Sequence, residues 1–257
     1  MNETYRYHLL NNPRKLMGHI ESRLDRDGIT QGWERADKAG IQGSAVLFLL
    51  TQQRLAPGRK PELCLLLTKR SQQVMQPGDL CCPGGGIGLG DKIVSGFMPL
   101  PLAPRRKWLR WLRWRVKRGP VARRMMQVWT AGLRESWEEM RLNPLSVSLL
   151  GPLPVQQLLL FRRLIFPLAA WVPACPHLRP NGEVGGGNEF PCFIHHGRQG
   201  TEILWGATFR ITMDFMRIVF DFDAPATEAL PVVQGRRDAA YLNGSVWDSE
   251  GIRNRRQ

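Results

Sequence analysis

Strand-like apolar runs interspersed with amphipathic helices predict an α/β (α+β) fold for this chain. Three observations carry that expectation. The runs Gly43–Leu50 (GSAVLFLL) and Glu62–Lys69 (ELCLLLTK) have the length and flanks of buried strands. A helical pattern covers Val128–Leu142, and further strand-like segments precede a last amphipathic helix at Thr208–Val219. With 257 residues, 43% of them hydrophobic, the chain can bury a sizeable core as one large domain or two small ones.

Taken in order, residues 1–40 read as a polar helical lead-in, with Leu16, Ile20 and Leu24 at helical spacing. Between the first two strands, TQQRLAPGRKP is rich in turn formers and predicts a hairpin loop. A glycine- and proline-dense loop follows from Pro77 to Asp91. The helix at Val128–Leu142 sets Leu133 and Trp137 on one face and stops at Asn143-Pro144. Strands are expected at Ser146–Leu150, Leu164–Val172, Phe190–His195 and Glu202–Trp205, with His195-His196 closing one of them. In the last helix Ile211, Phe215 and Ile218 form one stripe. This gives a lead-in over 1–40, a main domain over 41–223 interrupted by a basic insertion at 92–127, and a polar, Arg-rich tail over 224–257.

The net charge of +14 is concentrated in one place. No Asp or Glu occurs from Lys92 to Arg134, and Arg105–Arg124 alone holds ten Lys and Arg; removing those ten leaves +4 for the remainder. Cys64, Cys81, Cys82, Cys175 and Cys192 contain no C-x-x-C pair, which points away from a zinc site or a disulfide framework and towards reduced thiols. No apolar run reaches the roughly 18 residues of a membrane-spanning helix, and the polar N-terminus lacks the apolar core of a secretory signal. The expectation is a cytoplasmic protein.

The chemistry is carried by the helix near 133–142. Glu135, Glu138 and Glu139 stand at i, i+3 and i+4 and so share a face. Clustered like charges destabilise a helix unless something neutralises them. A hard divalent cation such as Mg²⁺ or Mn²⁺ suits oxygen ligands, and Arg134 is placed to pair with a carboxylate. A solvated acidic face is the plain alternative for the same pattern.

The neighbourhood decides between these. Arg134-Glu135-Ser136-Trp137-Glu138-Glu139 is similar to the R-E-x-x-E-E core of the Nudix box, and Pro83-Gly84-Gly85 resembles its P-G-G entry. Leu67-Thr68-Lys69-Arg70-Ser71, Pro77-Gly78-Asp79-Leu80-Cys81-Cys82 and Leu204-Trp205-Gly206-Ala207-Thr208 resemble segments of the coenzyme A diphosphatase branch. Together they run in the expected order over residues 43–220. The resemblance implies a mixed β-sheet sandwiched between helices and a metal-dependent hydrolase. Glu135, Glu138, Glu139 and the Gly85 carbonyl would bind Mg²⁺ or Mn²⁺, with Arg134 beside them. Lys69, Arg70, Gly84 and Gly85 would contact a diphosphate substrate, coenzyme A before a nucleoside derivative such as ADP-ribose. A Nudix-fold binding module without catalysis is the reading from another class; the three retained glutamates argue against it.

Three departures stand out. Residues 86–133 separate two parts of the box that usually lie close together, and the acid expected between them has no clear counterpart; Asp91 is the nearest. Arg141 replaces a glycine that suits a left-handed helix cap, which predicts a differently ended helix. The segment after Pro180, NGEVGGGNEFP, is short; Glu183, Glu189 and Gly185–Gly187 read as loop residues. The insertion RRKWLRWLRWRVKR at 105–118 fits three roles: contact with an anionic membrane, a grip on single-stranded nucleic acid (the least favoured), or a lobe covering the active site. Binding of an acidic ligand or acyl chain is also compatible with it.

Overall fold

The computed structural model describes residues 3–25, 27–38, 43–53, 62–70, 76, 78–97, 105–158, 163–173, 193–197 and 200–226. The loop at 54–61, the glycine run at 185–187, Glu183, Glu189 and the tail beyond 226 lie outside them. In chain order the elements are α1 (Glu3–Leu10), α2 (Pro13–Leu24), α3 (Asp27–Lys38), β1 (Gly43–Gln53), β2 (Glu62–Leu66), β3 (Thr68–Lys69), β4 (Leu80–Cys81) and β5 (Gly84–Gly86). They continue with α4 (Leu89–Phe97), α5 (Arg105–Met140), β6 (Ser148–Pro152), β7 (Gln156–Leu158), β8 (Arg163–Trp171), β9 (Phe193–Gly197), β10 (Gly200–Leu204) and α6 (Gly206–Phe220). The protein is a mixed α/β fold. The chain divides into two compact units, the first formed by residues 1–66, 82–176 and 211–223 and the second by 67–81, 177–210 and 224–257.

The first unit is built on β1 and β8, which pair in parallel from Gly43↔Leu164 to Leu50↔Trp171. Both are near-continuous apolar runs, as central strands covered on two faces require. The outer edge of β1 takes β5 antiparallel over Ser44–Val46 and β2 over Leu49–Gln53. The outer edge of β8 is shared in the same way by β7 and β6. Pro167, inside β8, falls between those two partners. Its carbonyl accepts from the Leu153 N–H, so its missing donor also faces the gap and costs no ladder bond.

Alternation along β1 assigns the faces. Leu47 meets α5: a Cβ at Gly132 would sit 2.7 Å from the Leu47 side chain. Phe48 points the opposite way and packs on Phe215 of α6, ring centroids 4.8 Å apart. The sheet is therefore covered by helices on both faces. Leu16, Ile20 and Leu24 of α2 are fully buried. The same helix caps α6: His19 Nε2 bonds the Val219 carbonyl at 2.8 Å and Arg23 Nε donates to the Ile218 carbonyl at 2.6 Å. Two terminal carbonyls without helical partners are satisfied in this way. Trp33 of α3, also fully buried, donates to the Leu153 carbonyl and meets Phe166 edge-on.

In the second unit β3 pairs with β4, and β9 with β10. The expected strand Glu62–Lys69 is broken at Leu67: its first part joins β1, its last two residues join β4. Strand β9 runs to Gly197, two residues past the expected end at His195, so that His195 and His196 pair inside the hairpin with Glu202 and Thr201.

Helix α5 corrects the sequence reading most. The helix expected to start at Val128 begins at Arg105, making the basic segment part of the same rod as the glutamates. Gly119-Pro120 lies within it; Pro120 has no N–H to give the Val116 carbonyl, and the helix continues nonetheless. Trp137 is 46% exposed, not packed with Leu133. The buried stripe runs instead through Val121, Met125, Val128, Gly132, Leu133 and Ser136, with small residues where the helix nears the sheet.

Candidate functional site

The carboxylate end of α5 meets β5 and α4, all within the first unit. Two glycines of β5 are there for close approach. A Cβ at Gly84 would collide with the Ala45 carbonyl, and one at Gly85 with the Glu135 carboxylate. Glu135 is thus packed directly over Gly85, while Glu138 and Glu139 are exposed.

Arg134 organises the group. Its Nε donates to Asp91 Oδ1 at 3.0 Å and its Nη2 to Asp91 Oδ2 at 3.1 Å. Nη2 also lies 2.9 Å from Glu135 Oε1 and donates to the Gly86 carbonyl at 3.1 Å. Nη1 donates to Glu138 Oε2 at 3.1 Å. One guanidinium therefore gathers the Gly86 carbonyl and three carboxylates, leaving two negative charges unmatched.

Asp91 is the residue that sequence reasoning could only note as the nearest acid. It is 4% exposed, sits in the first turn of α4, and also accepts from the Gly88 N–H at 2.8 Å. Burial is the largest single influence on its carboxyl and opposes ionisation. The hydrogen bonds from Arg134 and Gly88, together with the guanidinium charge, outweigh it and hold Asp91 below the usual carboxylate range. The hydrogen bond to Asp91 is likewise the main reason that Arg134 holds its proton more tightly than an ordinary arginine. Its sequence separation of 43 from Arg134 hides the pairing from any local pattern.

Among the described residues, no three His, Cys, Asp or Glu side chains converge as a ready-made metal cage. The donor chemistry nevertheless suits a hard cation: carboxylate oxygens only, two of them on exposed side chains that can be redirected at little cost. A groove of about 360 Å³ beside the cluster is lined by Gly88, Gly90, Asp91, Val94, Thr130 and Arg134.

Arg141 ends α5 in the left-handed conformation, φ +54°, with its N–H bonded to the Trp137 carbonyl at 3.0 Å. This corrects the expected different ending: the cap a glycine would form is kept by an arginine, whose guanidinium lies 5.9 Å from the Trp137 ring centre. Lys69 and Arg70 belong to the second unit. Lys69 pairs with Leu80, and Arg70 exchanges backbone hydrogen bonds with Asp79 and Gly78. There Trp205 Nε1 donates to the buried Asp79 at 2.9 Å, joining two segments whose motifs are distant in sequence.

Part of the chain is similar to a solved MutT/Nudix family protein. That protein comes from Listeria innocua; the likeness has 20% identity and a TM-score of 0.31, over 51% of this chain and 65% of the other. This chain thus spans 65% of that protein's length. No protein-family model and no curated protein matches.

Proposed function

We propose that this protein is a Nudix-type hydrolase that cleaves a diphosphate bond with Mg²⁺ or Mn²⁺, and that coenzyme A or an acyl-CoA is its substrate. The observation that carries the reading is the Arg134 cluster. Three carboxylates are held around one guanidinium against the glycine strand β5, with negative charge left over for a divalent cation. The sequence order of the P-G-G and R-E-x-x-E-E segments supports the same chemistry.

Glu135, Glu138, Glu139 and the Gly85 carbonyl would hold the cation. When bound, it would offset phosphate charge and lower the pKa of a water. The chain's own residues do the positioning. Arg134, fixed by buried Asp91, orients Glu135 and Glu138. Gly84 and Gly85 let β5 lie against the Ala45 carbonyl and the Glu135 carboxylate, which seats Glu135 over the Gly85 backbone. Hydrolysis of coenzyme A gives 4′-phosphopantetheine and adenosine 3′,5′-bisphosphate.

Incubation of the purified chain with coenzyme A and Mg²⁺ or Mn²⁺, with products read by mass spectrometry, tests this. Metal-dependent release of 4′-phosphopantetheine, lost in a Glu138→Gln, Glu139→Gln variant, is the expected result. Cleavage of ADP-ribose but not of coenzyme A keeps the chemistry and overturns the substrate. Absence of metal-dependent cleavage of any coenzyme A ester or nucleoside diphosphate derivative overturns the hydrolase.

A further inference from the structure

The glycine-dense stretch after Gly85 forms a helix, α4, whose two sides differ. Asp91 is buried and tied to Arg134. Leu89 and Ile93, four residues apart, lie on the opposite side at 77% and 62% exposure. At 100° per residue they stand roughly 160–200° from Asp91, so the ion pair that fixes α4 also turns this apolar face outward. Val94, 49% exposed, flanks it. Helix α4 packs against the later part of α5, where Asp91 meets Arg134, and the chain then leads through residues 98–104 into the start of α5. Among the α5 side chains whose burial is described, Val121 is the first buried one, and Val116, Gly119 and Pro120 before it are exposed. The same helix carries ten cations and three tryptophans between Arg105 and Arg124, with no acidic residue from Lys92 to Arg134.

We infer that α4 and the N-terminal half of α5 form a docking surface for an anionic lipid bilayer. Charge complementarity selects the occupant: a dense cationic run is attracted to anionic headgroups. Tryptophan suits the boundary between headgroups and acyl chains. The aliphatic side chains discriminate against nucleic acid, because Leu89 and Ile93 offer nothing to a phosphate backbone and no flat face for a base, whereas both gain by entering the acyl boundary. No helix among the described residues is long and apolar enough to cross a membrane, and the proposal concerns a surface contact only.

The test is co-sedimentation of the full chain with vesicles of phosphatidylcholine alone or mixed with phosphatidylglycerol, over a range of salt. Binding should require the anionic lipid and weaken as salt rises. Leu89→Ser, Ile93→Ser should lower the vesicle partition coefficient about tenfold or more, since each buried aliphatic group contributes strongly to the contact. Leu145→Ser, at a site 72% exposed elsewhere on the chain, should leave it unchanged. Thermal melting of each variant verifies that it is folded. No anionic-vesicle binding, or binding indifferent to Leu89 and Ile93, overturns the inference. Salt-sensitive binding to a single-stranded oligonucleotide with none to vesicles overturns it in favour of nucleic acid.

Discussion

The two halves of α5 carry opposite chemistry on one continuous rod. From Val121 onward the helix is bedded in the core and ends in Glu135, Glu138 and Glu139; before Pro120 its described side chains are exposed and its sequence is basic. Both arrangements run against the helix dipole, which favours acids at the N-terminus and bases at the C-terminus. Here the first turn holds no acid and the last turn no base. Each end misplaces about 0.3–1 kcal/mol of such stabilisation per charge. A helix can keep charges so placed when outside partners offset them: an anionic ligand at one end, a cation at the other.

Substitutions can break this contrast. The largest effect is expected in the acidic half, where Glu138→Gln, Glu139→Gln should lower turnover on the order of 10²–10³-fold. Charge reversal at Arg110 and Arg113 should leave turnover of a water-soluble substrate within about threefold while abolishing salt-sensitive association. Steady-state kinetics reads the two turnovers, and vesicle co-sedimentation reads the association.

Next comes the bolt behind the glutamates. Arg134→Met leaves buried Asp91 without its counter-charge and, with the arginine itself partly exposed, should cost about 1–2 kcal/mol in urea unfolding. The pH dependence follows from the sign of the Asp91 shift. Its folded pKa lies below the unfolded value, so its contribution is present above the ordinary carboxylate pKa near 4 and is lost as pH falls through the depressed value. Arg134→Met should remove that part of the acid sensitivity, seen as a flatter stability curve below about pH 4.

Gly132→Ala sharpens the comparison by lifting only the bedded half. A new methyl 2.7 Å from Leu47 should overpack the sheet face and cost about 1–3 kcal/mol. The smallest effect is a gain: Arg141→Gly relieves a left-handed φ and should stabilise by about 1 kcal/mol.

Much of this was legible in the sequence, for identifiable reasons. Strands β1 and β8 and helix α6 were found within a few residues because long apolar runs and a clear helical stripe leave little choice. The glutamate spacing and Arg134 were visible because they are local. The full reach of α5 was not: the cationic run read as an insertion separate from the helix at Val128, yet the helix runs through it and through Pro120 with one hydrogen bond missing. Helix α4 was hidden because PGGGIGLGD has loop composition, and its stability comes from the Asp91 tether. Trp137 looked like a core residue by spacing. The helix meets the sheet at Gly132, whose missing Cβ leaves room for Leu47, and Trp137 is left 46% exposed.

The Asp91–Arg134 pair has a topological consequence. It closes a loop of chain between positions 43 apart, bringing its two roots together whatever lies between them. Closure entropy grows only logarithmically, each doubling of loop length costing about 0.6 kcal/mol. A chain clamped at those roots can therefore lengthen the segment between α4 and Val121 without disturbing the glutamates, whereas from Val121 onward packing in the core fixes the sequence. The position is an open port in the architecture, where a module of new character can be carried by an old site.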